Sequence, residues 1–99
     1  MKAMDPRRWG TGQVWDAFEK AILRRIEFAI DSQRELVDYD GDDEGWEAAV
    51  RGKRWEPMDY VNLGYYSGMI ASALKVAHEV GLKLPADEVR IANLYVYGG

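Results

Sequence analysis

The sequence predicts an all-α fold: a small helical domain with two long antiparallel helices, a short helix in their connection, and a short C-terminal helix or extended tail. Three observations carry this reading. Phe18, Ile22, Ile26 and Ile30 recur at every fourth position of a long, charged segment, the spacing that puts side chains on one helical face. A second apolar run, Met58 to Val80, opens after Pro57 and stops before Gly81. Between them, Asp38 to Gly45 is dense in carboxylates and glycine and interrupts the helical pattern.

A chain of 99 residues makes one domain, 1–99. Met1 to Gly10, with Pro6 and Gly10 bracketing Arg7, Arg8 and Trp9, reads as a loose N-terminal arm, and Thr11 as the N-cap of the first helix. That helix is expected over 13–37. Trp15, Leu23, Ala29 and Val37 widen its apolar stripe, and Asp16, Glu19, Lys20, Arg24, Arg25, Glu27 and Arg34 fill the opposite face. Trp46 to Val50 allows one or two helical turns, closed by Gly52, Lys53 and Arg54.

Pro57 suits the first position of a helix, where its missing N–H has no partner to lose. The second long helix, 57–80, is apolar around much of its girth and is expected to lie at the centre of the fold. Gly81 stands in the C′ position, with Leu82 folding back onto the last turn. Gly64, Gly68 and Ser72 are spaced by four and share a face. Small residues so placed admit a second helix at close range, and helix 13–37 is expected to cross there; the alternative is a partner helix in the same groove. Pro85 to Gly99 is expected to form a short helix near 86–94 and then an extended tail. The strand-like Val89 to Tyr97 leaves open a strand that pairs with another chain.

Composition excludes several classes. With no cysteine there is no disulfide scaffold, thiolate zinc site or Cys nucleophile. Seventeen acidic against 13 basic side chains give a formal charge of −4, which argues against direct binding to nucleic-acid backbone, whose affinity comes from Lys and Arg. No apolar run approaches the roughly 20 residues that span a bilayer, and no signal peptide is visible. The expectation is a soluble, cytoplasmic protein. Four Trp and six Tyr are many for so small a core, and both residue types dominate binding hot spots.

The acidic segment invites comparison with an EF-hand calcium loop. Counting from Asp40 puts Asp40, Asp42, Glu44 and Gly45 at the right positions, but position 12, which needs a bidentate Glu, is Arg51. No metal or other cofactor is therefore expected. Asp38, Asp40, Asp42, Asp43 and Glu44 instead suit docking to a basic protein surface. Trp46 and the run Arg51-Gly52-Lys53-Arg54-Trp55 combine the residues that protein interfaces favour, and they could also grip phosphates and stack on bases. The candidate partner-binding residues are thus Asp38, Asp40, Asp42, Asp43, Glu44, Trp46, Arg51, Arg54 and Trp55. His78 is the only histidine, and no nucleophile–base pair, phosphate loop or metalloprotease motif is present. The sequence does not support an enzyme.

The size, the acidity and the compact apolar helix Gly64-Tyr65-Tyr66-Ser67-Gly68-Met69-Ile70-Ala71-Ser72-Ala73-Leu74 resemble small proteins encoded by phages and mobile elements, and among them anti-CRISPR proteins. The resemblance rests on size and character, with no motif carried across. It implies a stoichiometric inhibitor of a large nucleic-acid-binding complex, with Asp38, Asp40, Asp42, Asp43 and Glu44 facing the Arg and Lys that hold nucleic acid. The expected function is a non-enzymatic protein-binding module, an inhibitor or adaptor. The alternatives are a homo-oligomeric assembly component, or a small nucleic-acid-binding regulator using Arg7, Arg8, Arg51, Lys53 and Arg54.

Overall fold

A computed structural model describes residues 12–97. The arm at 1–10 and the cap at Thr11 lie outside the described residues. Four helices follow in order: α1 (Gly12–Val37), α2 (Trp46–Gly52), α3 (Pro57–Glu79) and α4 (Ala86–Tyr97), with a 3₁₀ turn at Asp43–Gly45 leading into α2. The domain is all-α, and there is no strand among the described residues.

α1 packs most extensively against α3, and α4 closes over both. Ile22, Ile26 and Ala29 of α1 meet Leu63, Ile70, Ala73 and Ala77 of α3 and Ala92 and Tyr95 of α4 in one buried cluster, which Trp46 and Val50 of α2 and Leu82 complete. The buried positions of α1 are spaced by three and four, as its amphipathic pattern predicts. Gln33 extends the same stripe and is fully buried. With its amide oriented by its neighbours, its nitrogen donates to the Tyr95 carbonyl and its oxygen accepts from the Ser67 N–H, both at 3.2 Å. One polar side chain thereby ties α1, α3 and α4 together.

Two helices end by the same device. At the end of α3, the Gly81 N–H donates to the His78 carbonyl (3.1 Å) and the Leu82 N–H to the Ala77 carbonyl (2.8 Å), with Gly81 at φ 76°. Leu82 is buried, as expected of a C″ residue. At the end of α1, Asp38 takes the glycine's place at φ 57°. The Asp38 N–H donates to Glu35 (3.1 Å) and the Tyr39 N–H to Arg34 (2.9 Å). At the start of α3, Glu56 and Asp59 form a capping box ahead of Pro57.

Three expectations are corrected. The expected C-terminal helix is present but runs Ala86–Tyr97, so residues 95–97 are helical where an extended tail or a strand was the alternative. α1 does not cross the Gly64/Gly68/Ser72 face: all three residues are exposed, and a Cβ built on either glycine meets nothing within 4 Å. α1 and α4 pack instead on the opposite side of α3, where the larger apolar residues Leu63 and Ile70 bury more surface than glycines can. Finally, α3 is apolar around its girth without being enclosed; among the described residues no element covers its outward face.

Candidate interaction surface

The nine residues picked out by the sequence divide into two sets. The first surrounds the acidic turn. Asp42 caps the 3₁₀ turn, its carboxylate accepting from the Gly45 N–H at 2.9 Å. The Tyr39 hydroxyl donates to the Asp42 carbonyl at 2.6 Å. The Tyr39 ring lies so close to Gly41 and Gly45 that a Cβ on either would collide with its hydroxyl, so the turn needs both glycines.

Arg34, from the last turn of α1, is the hub. Its guanidinium donates to the Tyr95 hydroxyl (2.7 Å) and to the Gly41 carbonyl, and it pairs with Asp43 (3.4 Å). It also sits over the Tyr39 ring, 5.0 Å from the centroid. The Tyr95 hydroxyl donates to Asp43 at 2.5 Å. Burial, and then the bond to Asp43, push the Tyr95 phenol up to about 12. Glu44 pairs with Arg90 of α4 at 2.5 Å.

Much of the acidity is thus answered from within the chain. Asp43 and Glu44 hold the turn against α1 and α4, and Asp42 holds the turn itself. Asp38 and Asp40 are exposed, and neither makes an ion pair among the described residues. Trp46 is buried against Tyr95 (4.8 Å between ring centroids) and Tyr39 (6.0 Å). Its indole N–H has no hydrogen-bond partner among the described residues. It is a core residue.

The second set lies on the connector before α3. Arg51 pairs with Glu47 one turn earlier, and Arg54 is exposed. Trp55 is half-buried: its indole donates to the Val50 carbonyl at 2.9 Å, and its ring stacks on Tyr60 at 5.3 Å. Lys53 sits over that ring, 5.4 Å from the centroid, and reaches Asp59 at 3.8 Å.

From Trp55 the surface continues along the outward face of α3, which the sequence did not single out as a contact surface. Met58, Tyr60, Val61 and Tyr65 are each 60% or more exposed. From Tyr60 to Leu74 there is no charged residue on any side of the helix. Val61, Tyr65, Gly68 and Ser72, spaced by three and four, share the outermost line. Tyr65 packs edge-on against Tyr66 (5.4 Å), which in turn meets Phe28 of α1 (6.4 Å), itself largely exposed. The available signal was that uncharged run: a helix apolar on every side has one face too many for a fold this thin.

Elsewhere, His78 lines an apolar cleft of about 310 Å³ with Leu74, Leu82, Val89 and Asn93. No carboxylate faces it there. Among the described residues no group of three or more His, Asp or Glu is arranged to hold a metal ion, and no helix is long and apolar enough to cross a membrane. No family model, curated protein or solved structure matches the chain.

Proposed function

We propose that this protein acts by binding another protein rather than by catalysis, and that its contact surface is the outward face of α3 with the adjoining Trp55. The observation that carries this reading is the exposed, charge-free stretch around Val61 and Tyr65. In a chain with 30% charged residues, contiguous exposed apolar surface of this kind marks a place that another molecule covers. Aromatic anchors beside exposed arginine match the make-up of interface cores. An antiparallel α1–α3 pair is part of this reading, supported by the groove in which Asn62 and Tyr66 face Ser32, Glu35 and Leu36.

A second reading keeps the acidic turn as the docking element of an inhibitor of the anti-CRISPR kind. Its support is narrower: among the described residues Asp38, Asp40 and Asp42 are the turn's exposed carboxylates without an ion pair, and Asp42 is already engaged in capping the turn. Affinity capture separates the two. Tagged protein is incubated with nuclease-treated bacterial lysate containing a CRISPR surveillance complex, alongside Val61→Lys/Tyr65→Lys and Asp38→Asn/Asp40→Asn variants. The α3 reading expects the lysine variant to lose a stoichiometric partner that the asparagine variant keeps. The reverse pattern supports the acidic turn and overturns the α3 reading. Asp43 and Glu44 are left intact, because replacing them would disturb the turn itself.

A further inference from the structure

We infer that the outward face of α3 pairs with the same face of a second copy of this chain, antiparallel and about a two-fold axis at Gly68. The inference rests on the proposal that this face is the contact surface, and it names the occupant.

Symmetry is the first argument. α3 runs from Pro57 to Glu79, so Gly68 is its midpoint, and a two-fold axis there overlays two copies along the whole helix, about 35 Å. Such a pairing is isologous, each residue meeting its mirror position. Gly64 then faces Ser72 of the other copy and Gly68 faces itself. The three positions are exposed, with open space around both glycines. A second backbone can therefore come close, with Val61 of one copy opposite the aliphatic stem of Lys75 of the other and Tyr65 opposite Ala71.

Charge is the second argument. Each copy carries a formal −4, so most of its surface repels another copy, but Tyr60 to Leu74 is uncharged and the charges the contact does include, Lys75 and Glu79, pair with each other within one helix. Antiparallel pairing at a low crossing angle places Glu79 near the start of the other copy's α3, where the capping carboxylates Glu56 and Asp59 already serve the helix N-terminus and the complementary charge comes from the connector ahead of it. Arg54, exposed and without an ion pair among the described residues, lies three residues ahead of that N-terminus. A parallel pairing would instead set Lys75 against Lys75 and Glu79 against Glu79.

Area is the third. A tyrosine covers roughly 150–250 Å² when buried, so Met58, Tyr60, Val61 and Tyr65, at 60% exposure or more, offer several hundred square ångströms of apolar surface. With the intervening glycine and serine backbone also covered, the contact is of the size of small, transient interfaces, below the roughly 800 Å² per partner of standard ones, which fits pairing in the micromolar range.

The absence of cysteine makes a direct test available. The Gly68→Cys variant, gently oxidised, should cross-link to itself in high yield, since only helices in close contact bring two Cα atoms within about 7 Å. Ser72→Cys alone should not cross-link to itself, and a mixture of Gly64→Cys with Ser72→Cys should give the mixed cross-linked dimer. Self-linking of Ser72→Cys with no mixed product would overturn the antiparallel register. Light scattering on the unmodified protein needs no variant. A mass rising to twice the monomer in the micromolar range supports self-pairing, with Gly68→Glu weakening it about 100-fold through like charges meeting at the axis. A monomer at every concentration, together with no cross-link at Gly68, overturns the inference. If the Val61→Lys/Tyr65→Lys variant still loses a captured partner in that case, the face remains a contact surface and only the second copy is ruled out.

Discussion

Arg34 and Gln33 are neighbours in sequence with opposite outlooks. Gln33 points into the core, and Arg34 reaches across to the acidic turn. Arg34 lies in an ordinary charged stretch, and nothing in its spacing announces that it meets Asp43, Tyr95 and Gly41 together. Removing it leaves Asp43 and the Tyr95 hydroxyl without their cation. Arg34→Ala should cost about 2 kcal/mol, from lost charge-assisted bonds discounted for partial exposure, and lower Tm by roughly 10 °C for a chain this size; thermal unfolding followed by circular dichroism checks it. Tyr95 sets an alkaline limit. Its phenol is pushed up to about 12 in the fold, whereas in the unfolded chain it ionises near 10. The folded state therefore holds a proton that the unfolded state gives up. The stabilisation is fully present below about pH 10 and is lost as pH rises towards 12. The stability difference between the unmodified protein and Tyr95→Phe should shrink across that window and stay constant below it.

At the scale of elements, the helices were legible and their outward faces were less so. Pro57, Gly81 and the four-residue spacing of the isoleucines mark α1 and α3 because capping and amphipathicity are local properties. The end of α1 was visible only as an acidic, glycine-rich break; that Asp38 adopts the left-handed conformation depends on its own backbone bonds. α4 was ambiguous because Val89, Ile91 and Val96 favour strands, and packing of Ala92 and Tyr95 against α3 overrode that preference. The acidic turn was found, but its partners Arg34, Arg90 and Tyr95 are distant in sequence, and no local pattern pairs them. Gly64 and Gly68 were read as a packing seam. They are exposed helix-interior glycines, each costing roughly 0.5–1 kcal/mol relative to alanine. Gly64→Ala/Gly68→Ala should therefore raise the Tm of the monomer by several degrees while weakening any close pairing through α3. Calorimetry at low and high protein concentration separates the two effects.

The whole molecule is long and thin: the described residues span 50 × 27 × 17 Å. Two helix layers, with axes about 8–10 Å apart, fill the thin dimension, so among the described residues a helix in this fold is covered on one side only. α1 meets that condition with a charged outer face, broken mainly by Phe28. α3 does not, and its uncharged outer face gives the molecule a side that water suits poorly. Function through α3 requires that side to be covered when the protein acts. Hydroxyl-radical footprinting of the dilute monomer against the complex it forms, with a second copy or a captured partner, measures this residue by residue. The prediction is that Met58, Tyr60 and Tyr65 lose most of their reactivity in the complex, while Tyr39 beside the acidic turn is unchanged. Tyr65 and Met58 remaining as reactive in the complex as in the free protein would contradict it.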